Sequence, residues 1–185
     1  MAVEYLDEIQ GATHQILSNV PRDSLSEPTP CSEWDVAALI NHLVDAQRLF
    51  ATLVGAISTQ SGDSDAAPGD FVATFDNIAA DVRTALAAPG FASRTFELPF
   101  GTFTGEQFIN LVCIETIVHA WDVARATSQP TDVAPAPCAH LHGVAVAMMG
   151  GSPRDPNPRF AADKPAPADA TEADRLAAYL GRSVD

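Results

Sequence analysis

A chain of 185 residues is long enough for one domain with a substantial interior. Its composition, 46% apolar and 18% charged, is that of a folded protein and argues against wholesale disorder. Twenty-four acidic against ten basic side chains give a formal charge of −14, a repulsive mean field that makes nucleic acid and anionic membrane surfaces poor partners.

Apolar stretches are interrupted by charged or amide residues well short of the roughly 20 that span a bilayer. The opening MAVEYLDEIQ carries acids and no basic region, unlike a secretory leader. The expectation is a cytoplasmic protein. Cys31, Cys113 and Cys138 are far apart, with no C-x-x-C pair, and read as reduced, small apolar fillers.

Taken in chain order, apolar residues from Val3 to Val20 recur at threes and fours and predict a helix stopped by Pro21. PRDSLSEPTP, with three prolines, reads as a surface loop. Ser32 is the expected cap of a second helix over 33–57, with Glu33 and Asp35 in its first turn and Trp34, Ala38, Leu39, His42, Leu43, Ala46, Leu49, Phe50 and Leu53 on its broad apolar face. STQSGDSDAAPG then reads as a loop. Phe71, Phe75, Ile78, Val82 and Leu86 predict a third helix over 70–87, ended by Pro89 and Gly90. FASRTFELPFGTFT suggests a short hairpin or an extended crossover.

Thr104, followed by Glu106 and Gln107, is the expected cap of a fourth helix running to about Ala126, apolar on most sides and therefore largely buried. A small apolar helix over 138–149 ends at Gly150 and Gly151, and a short helix over 171–180 pins its end with Leu176, Tyr179 and Leu180. Together these predict an all-α fold, a four-helix bundle with a short irregular or β-hairpin crossover and small C-terminal helices, non-sequential packing being compatible with the crossover. Residues 1–185 form one expected domain, with 150–185 as a proline-rich arm wrapping the surface.

Three polar residues inside the fourth helix require explanation: Glu115, His119 and Asp122. Glu115 and His119, spaced i and i+4, share one face, the geometry by which a helix offers two ligands to one metal. His42, on the core-facing stripe of the second helix, is the natural third ligand. Each alone reads sooner as a satisfied core side chain; the joint placement of a carboxylate and two imidazoles in apolar runs brings the metal reading level with that one. Asp122 is placed to orient His119 through its other ring nitrogen, or to pair with Arg125 or Arg48. Trp34, Trp121 and Phe100 are candidates for pocket walls or for core. Arg48, Arg83, Arg94 and Arg125 read as surface charges or ion-pair partners, and His14, His140 and His142 as structural or exposed.

TPCSEWDVAALINHLV and ETIVHAWDVARATSQP resemble the DinB-like superfamily, in its branch related to the mycothiol-dependent maleylpyruvate isomerase N-terminal domain, and ADATEADRLAAYLGR resembles the closing segment of that branch's small stand-alone members. The resemblance implies a four-helix bundle with a divalent metal, zinc or nickel, near one end. The branch's pattern, a His in the second helix and Glu-x-x-x-His in the fourth, falls on His42, Glu115 and His119. It also implies a metal-dependent enzyme that activates a low-molecular-weight thiol such as mycothiol for isomerase or transferase chemistry, and a homodimer. No clear counterpart of the additional substrate domain of full-length maleylpyruvate isomerases is expected in these 185 residues. The alternatives are a non-catalytic binding or stress-response module, and a hydrolase using metal-bound water with Asp45 or Asp122 as base.

Overall fold

The computed structural model describes residues 2–57, 70–99, 101–150 and 161–184. Helix α1 spans Ala2–Ser18, α2 Val36–Val54, α3 Phe71–Leu86, α4 Gly105–Ala126, α5 Pro135–Met149 and α6 Glu172–Tyr179. A two-stranded antiparallel hairpin, β1 (Thr95–Leu98) and β2 (Gly101–Thr104), precedes α4 with Phe96 opposite Phe103. None of the helices is long and apolar enough to cross a membrane.

The start of α2 differs from the sequence expectation. Asp35, not Ser32, is the N-cap, its side chain accepting from the Ala38 amide at 2.8 Å. The reason lies in the preceding loop, which folds back on itself: the amides of Val36 and Ala37 donate to Glu27 and Leu25 carbonyls, and Pro28 bridges Asp35. Ser32, Glu33 and Trp34 are thereby left outside the helix. At the other end Gly55, at φ 78°, closes α2 three residues before the expected Ile57. The expected loop over 58–69 lies outside the described residues.

α4 begins as predicted. Thr104 accepts from the Gln107 amide while the Gln107 side chain returns to the Thr104 amide, a complete capping box. The first helical residue must be glycine, because a Cβ on Gly105 would overlap the Phe91 carbonyl oxygen. Phe91, Phe96 and Phe108 form an aromatic layer beneath this junction, with the Arg94 guanidinium 5.0 Å from the Phe96 ring. α5 starts at Pro135, earlier than expected, because proline is well suited to a first helical turn.

Four helices make the bundle. α1 packs on α4 and α3, and α2 packs on α3 and α4, giving the ring order α1–α4–α2–α3. The pairs α1/α2 and α3/α4 therefore lie across diagonals, and each is joined by a long connection able to cross the end of the bundle. α4 is buried nearly all round, from Phe108 through Ile117 and Trp121 to Ala124. α6 packs on α4 and α5, and the Trp121 indole N–H donates to Asp174 of α6 at 2.8 Å. Trp121 is therefore core and a tether for α6; Phe100 lies outside the described residues.

Candidate metal centre

One face of α2 meets one face of α4 where the apolar stripe is broken by polar residues. His42 comes from the middle of α2, and Glu115 and His119 from successive turns of α4. The structure brings the three together: His42 Nε2 lies 2.9 Å and His119 Nε2 3.3 Å from the same oxygen, Glu115 Oε1. One donor atom from each lies within 4.8 Å of the others, so the set could hold a metal ion. Donor separations near 3.3 Å are what a tetrahedral ion with ligand distances of about 2.1 Å requires.

The site is graded in exposure. His119 is buried, with 9% of its side chain accessible, whereas Glu115 at 22% and His42 at 32% reach toward an open side. The Trp34 ring covers His42, centroids 4.4 Å apart, and the two imidazoles meet edge to face at 4.7 Å. Trp34 is held over the site by the folded-back loop, in which Thr29 Oγ1 donates to the Cys31 and Trp34 carbonyls.

Behind His119 stands a second layer of polar groups. Its Nδ1 lies 3.1 Å from Asp122 Oδ2. The cation bonded to Asp122 comes from the chain beyond α6: Arg182 donates from Nη2 to Oδ2 at 2.9 Å and from Nε to Oδ1 at 3.2 Å, a bidentate pair. Arg182 makes the pairing for which the sequence offers Arg125 and Arg48. Cys31 also departs from its reading as an apolar filler: it is half-buried, with Sγ 3.2 Å from Asp122 Oδ2 and 3.9 Å from His119 Nδ1. Cys113 and Cys138 are buried fillers as expected, and burial pushes both thiols up to about 12.

Local structure explains how Arg182 reaches the site. Leu180 caps α6 and Gly181 follows at φ 92°; the Gly181 and Arg182 amides return to the Ala178 and Ala177 carbonyls. This is a Schellman closure, which turns the residue after the glycine back along the helix. The Leu-Gly pair after an amphipathic turn is a sequence signal for that closure, but nothing local reveals what Arg182 meets.

Electrostatics favour a cation between Glu115 and His119. Burial alone would raise the Glu115 carboxyl and lower the His119 imidazole. Hydrogen bonds and charge prevail instead, holding Glu115 well below the usual carboxylate range and His119 well above the usual imidazole range. Asp122 is likewise held low by His119 and Arg182 against its complete burial. With Asp122 ionised and accepting the Nδ1–H, a neutral His119 would present its Nε2 lone pair to Glu115 Oε1, acceptor against acceptor. A proton or a metal ion between them removes that conflict, and the donor set of two imidazoles and one carboxylate suits a borderline divalent ion.

The remaining candidates lie in other contacts. His14 pairs with Asp76 at 2.9 Å on the surface, and His140 and His142 rest on the Tyr5 and Tyr179 rings. Arg83 pairs with Asp7, and Arg94 covers the hairpin phenylalanines.

Comparison with known proteins agrees with this architecture. Two uncharacterized proteins of Mycobacterium tuberculosis, from strains CDC 1551 / Oshkosh and ATCC 25618 / H37Rv, are each 40% identical over 175 residues, covering 95% of this chain and 94% of theirs. No solved structure matches the chain. The family profile of the mycothiol maleylpyruvate isomerase N-terminal domain, a DinB-like helical domain, matches residues 6–124, the span that contributes His42, Glu115, His119 and Asp122. On that match, the chain belongs to the mycothiol maleylpyruvate isomerase N-terminal domain family.

Proposed function

We propose that this chain is a metal-dependent enzyme that holds one divalent ion, zinc or nickel, on His42, Glu115 and His119 and uses it to activate a low-molecular-weight thiol, such as mycothiol, for isomerase or transferase chemistry. The observation that carries the reading is the convergence of both Nε2 atoms on Glu115 Oε1, with the far nitrogen of His119 turned to Asp122. A bound divalent ion supplies a Lewis acid that lowers the pKa of a thiol in its open position and so provides a nucleophile at neutral pH.

The protein's own residues supply the rest. Glu115 is the single anion of the ligand set; with a divalent ion the set keeps a residual charge of about +1, which favours an anionic incoming group. Asp122 and Arg182 cancel and leave that balance unchanged. Trp34 holds the His42 ring and walls one side of the approach, while the partial exposure of His42 and Glu115 leaves a side for a small substrate. Activated double bonds suit a nucleophile that can add, permit rotation and leave.

The hydrolase alternative has less support. It needs a general base beside a metal-bound water, yet Asp122 is engaged by His119, Cys31 and Arg182 and held low in pKa, and Asp45 is exposed on α2. The site is also compatible with a binding module that performs no turnover, and the two readings separate by assay. The test is elemental mass spectrometry on tag-free protein, wild type against His42→Ala, His119→Ala and Glu115→Gln. Expected is near-stoichiometric metal in the wild type, lost in the variants, followed by thiol-dependent turnover. Absence of metal even after reconstitution with zinc or nickel would overturn the proposal.

A further inference from the structure

Asp122 is approached from three directions, and the arrangement forms a second cation position on the opposite side of His119. Cys31 Sγ, His119 Nδ1 and an Asp122 oxygen lie within 4.8 Å of one another, a thiol, an imidazole and a carboxylate with the spacing of metal donors. By donor type such a set suits a borderline ion, provided that both the thiol and Nδ1 give up their protons. A guanidinium already engages two of the set's three donors. Arg182 Nη2 bonds Asp122 Oδ2 at 2.9 Å and Cys31 Sγ at 3.5 Å, and Nε bonds Asp122 Oδ1.

The guanidinium is fixed rather than adaptable. Its side chain is 10% exposed, Nη1 donates to the Leu180 carbonyl at 3.0 Å, and its own backbone is locked in the closure of α6. It brings a single positive charge, matched to the single negative charge of Asp122, in a planar fork that fits the carboxylate. A divalent ion in the same place, with one already on Nε2, would need the Cys31 thiolate and His119 as a bridging imidazolate, releasing the thiol and Nδ1 protons to solvent, so that the ring could no longer donate to Asp122.

We infer that Arg182 is a specificity-determining residue: a built-in organic cation that engages Cys31 and Asp122 and so withholds two of the three donors that a second metal ion would need from Cys31, His119 and Asp122. It thereby confines metal binding to the Nε2 face of His119. The inference rests on the proposed metal reading for that Nε2 face. Metal stoichiometry is thus written into a residue that is no ligand.

The experiment is a cobalt(II) titration of the tag-free full chain, read by near-ultraviolet thiolate-to-cobalt charge-transfer absorption and by elemental analysis after desalting. Wild type binds one equivalent with no thiolate band. Arg182→Gln binds a second equivalent that carries the band, and adding Cys31→Ser abolishes the band and weakens the second equivalent by about tenfold or more. Arg182→Lys, which keeps a cation in place, stays at one equivalent. A thiolate band in the wild type overturns the inference, as does an Arg182→Gln protein of wild-type circular dichroism that gains neither equivalent nor band. Should Arg182→Gln not fold, Cys31→Ser in the wild-type background decides: first-equivalent affinity within about twofold supports the inference, and a fall of about tenfold or more places sulfur on the metal and overturns it. A wild type that binds no cobalt refutes the metal reading instead, while the thiolate band of Arg182→Gln still reports on Arg182 alone.

Discussion

Replacing Asp122 by Asn tests the polar layer behind His119. The carboxylate is fully buried and accepts from His119 Nδ1, Cys31 Sγ and two nitrogens of Arg182. Asn keeps the shape and one acceptor oxygen but puts an NH2 against a guanidinium or an imidazole and leaves Arg182 buried without its counter-charge. Breaking one side of a buried pair costs about 3–5 kcal/mol. Arg182 retains its bond to Leu180 and a tenth of its surface, so the lower end, about 3 kcal/mol, is expected. With a urea slope of about 2 kcal/mol/M, the unfolding midpoint falls by about 1.5 M. Metal affinity falls about 10–100-fold, because the His119 ring is no longer held in one tautomer and orientation. The assay is urea unfolding by circular dichroism alongside a chelator-competition titration. In the double variant with Arg182→Gln, the stability loss should be smaller than the sum of the single losses by about 2 kcal/mol, the pair having gone together. A stability loss under about 1 kcal/mol with unchanged metal affinity would refute the reasoning.

Other expectations concern the scaffold. Gly105→Ala, which drives a methyl into the Phe91 carbonyl, should destabilise by about 2 kcal/mol or more, whereas Gly11→Ala in α1, with open space around the added methyl, should stabilise by about 0.5–1 kcal/mol; urea midpoints moving in the same direction would contradict the geometry. Iodoacetamide mapped by mass spectrometry at pH 8 should label Cys31 first, with Cys113 and Cys138, whose thiols are pushed up to about 12, labelled only in denaturant; native labelling of Cys113 would refute their burial. Trp121→Phe should cost about 1 kcal/mol through the lost bond to Asp174. Because the folded pKa of Asp174 is depressed, that contribution is present above the ordinary carboxylate pKa and lost as pH falls through the folded value. The gap between wild type and Trp121→Phe should therefore narrow below about pH 4, and a gap constant down to pH 2 would count against it.

How much of this was legible in the sequence depends on the range of the interaction. The Thr104 capping box and the face of α3 bearing Phe75, Val82 and Leu86 are decided within one helix each and are visible as spacing, although Ala79 and not the expected Ile78 is buried between them. The start of α2 was misplaced because Ser32, Glu33 and Asp35 all satisfy capping rules; the choice among them is made by backbone bonds to Leu25 and Glu27, which no local pattern encodes. His42, Glu115 and His119 stood out because a polar side chain in an apolar helical run demands a partner, and the structure gathers all three around one carboxylate oxygen. Cys31 and Arg182 gave no such signal. Each sits in a polar loop or tail where a thiol or a guanidinium is unremarkable, and their meeting spans 151 positions.

The ring order of the helices bears on how the chain finds its fold. Helical proteins usually fold fast because their contacts are local, yet here α1 waits for α4, and the Gln129 side chain bonds the Ile16 carbonyl across 113 positions. Until α4 arrives, α1 has α3 as its neighbour but lacks its more extensive partner, and during synthesis it emerges far ahead of the helix that completes its cover. Closing so long a loop is expected to slow refolding relative to a simple up-and-down bundle, a difference that stopped-flow circular dichroism would read. The stage at greatest risk of aggregation is the half-made chain that already carries α1, α2 and α3.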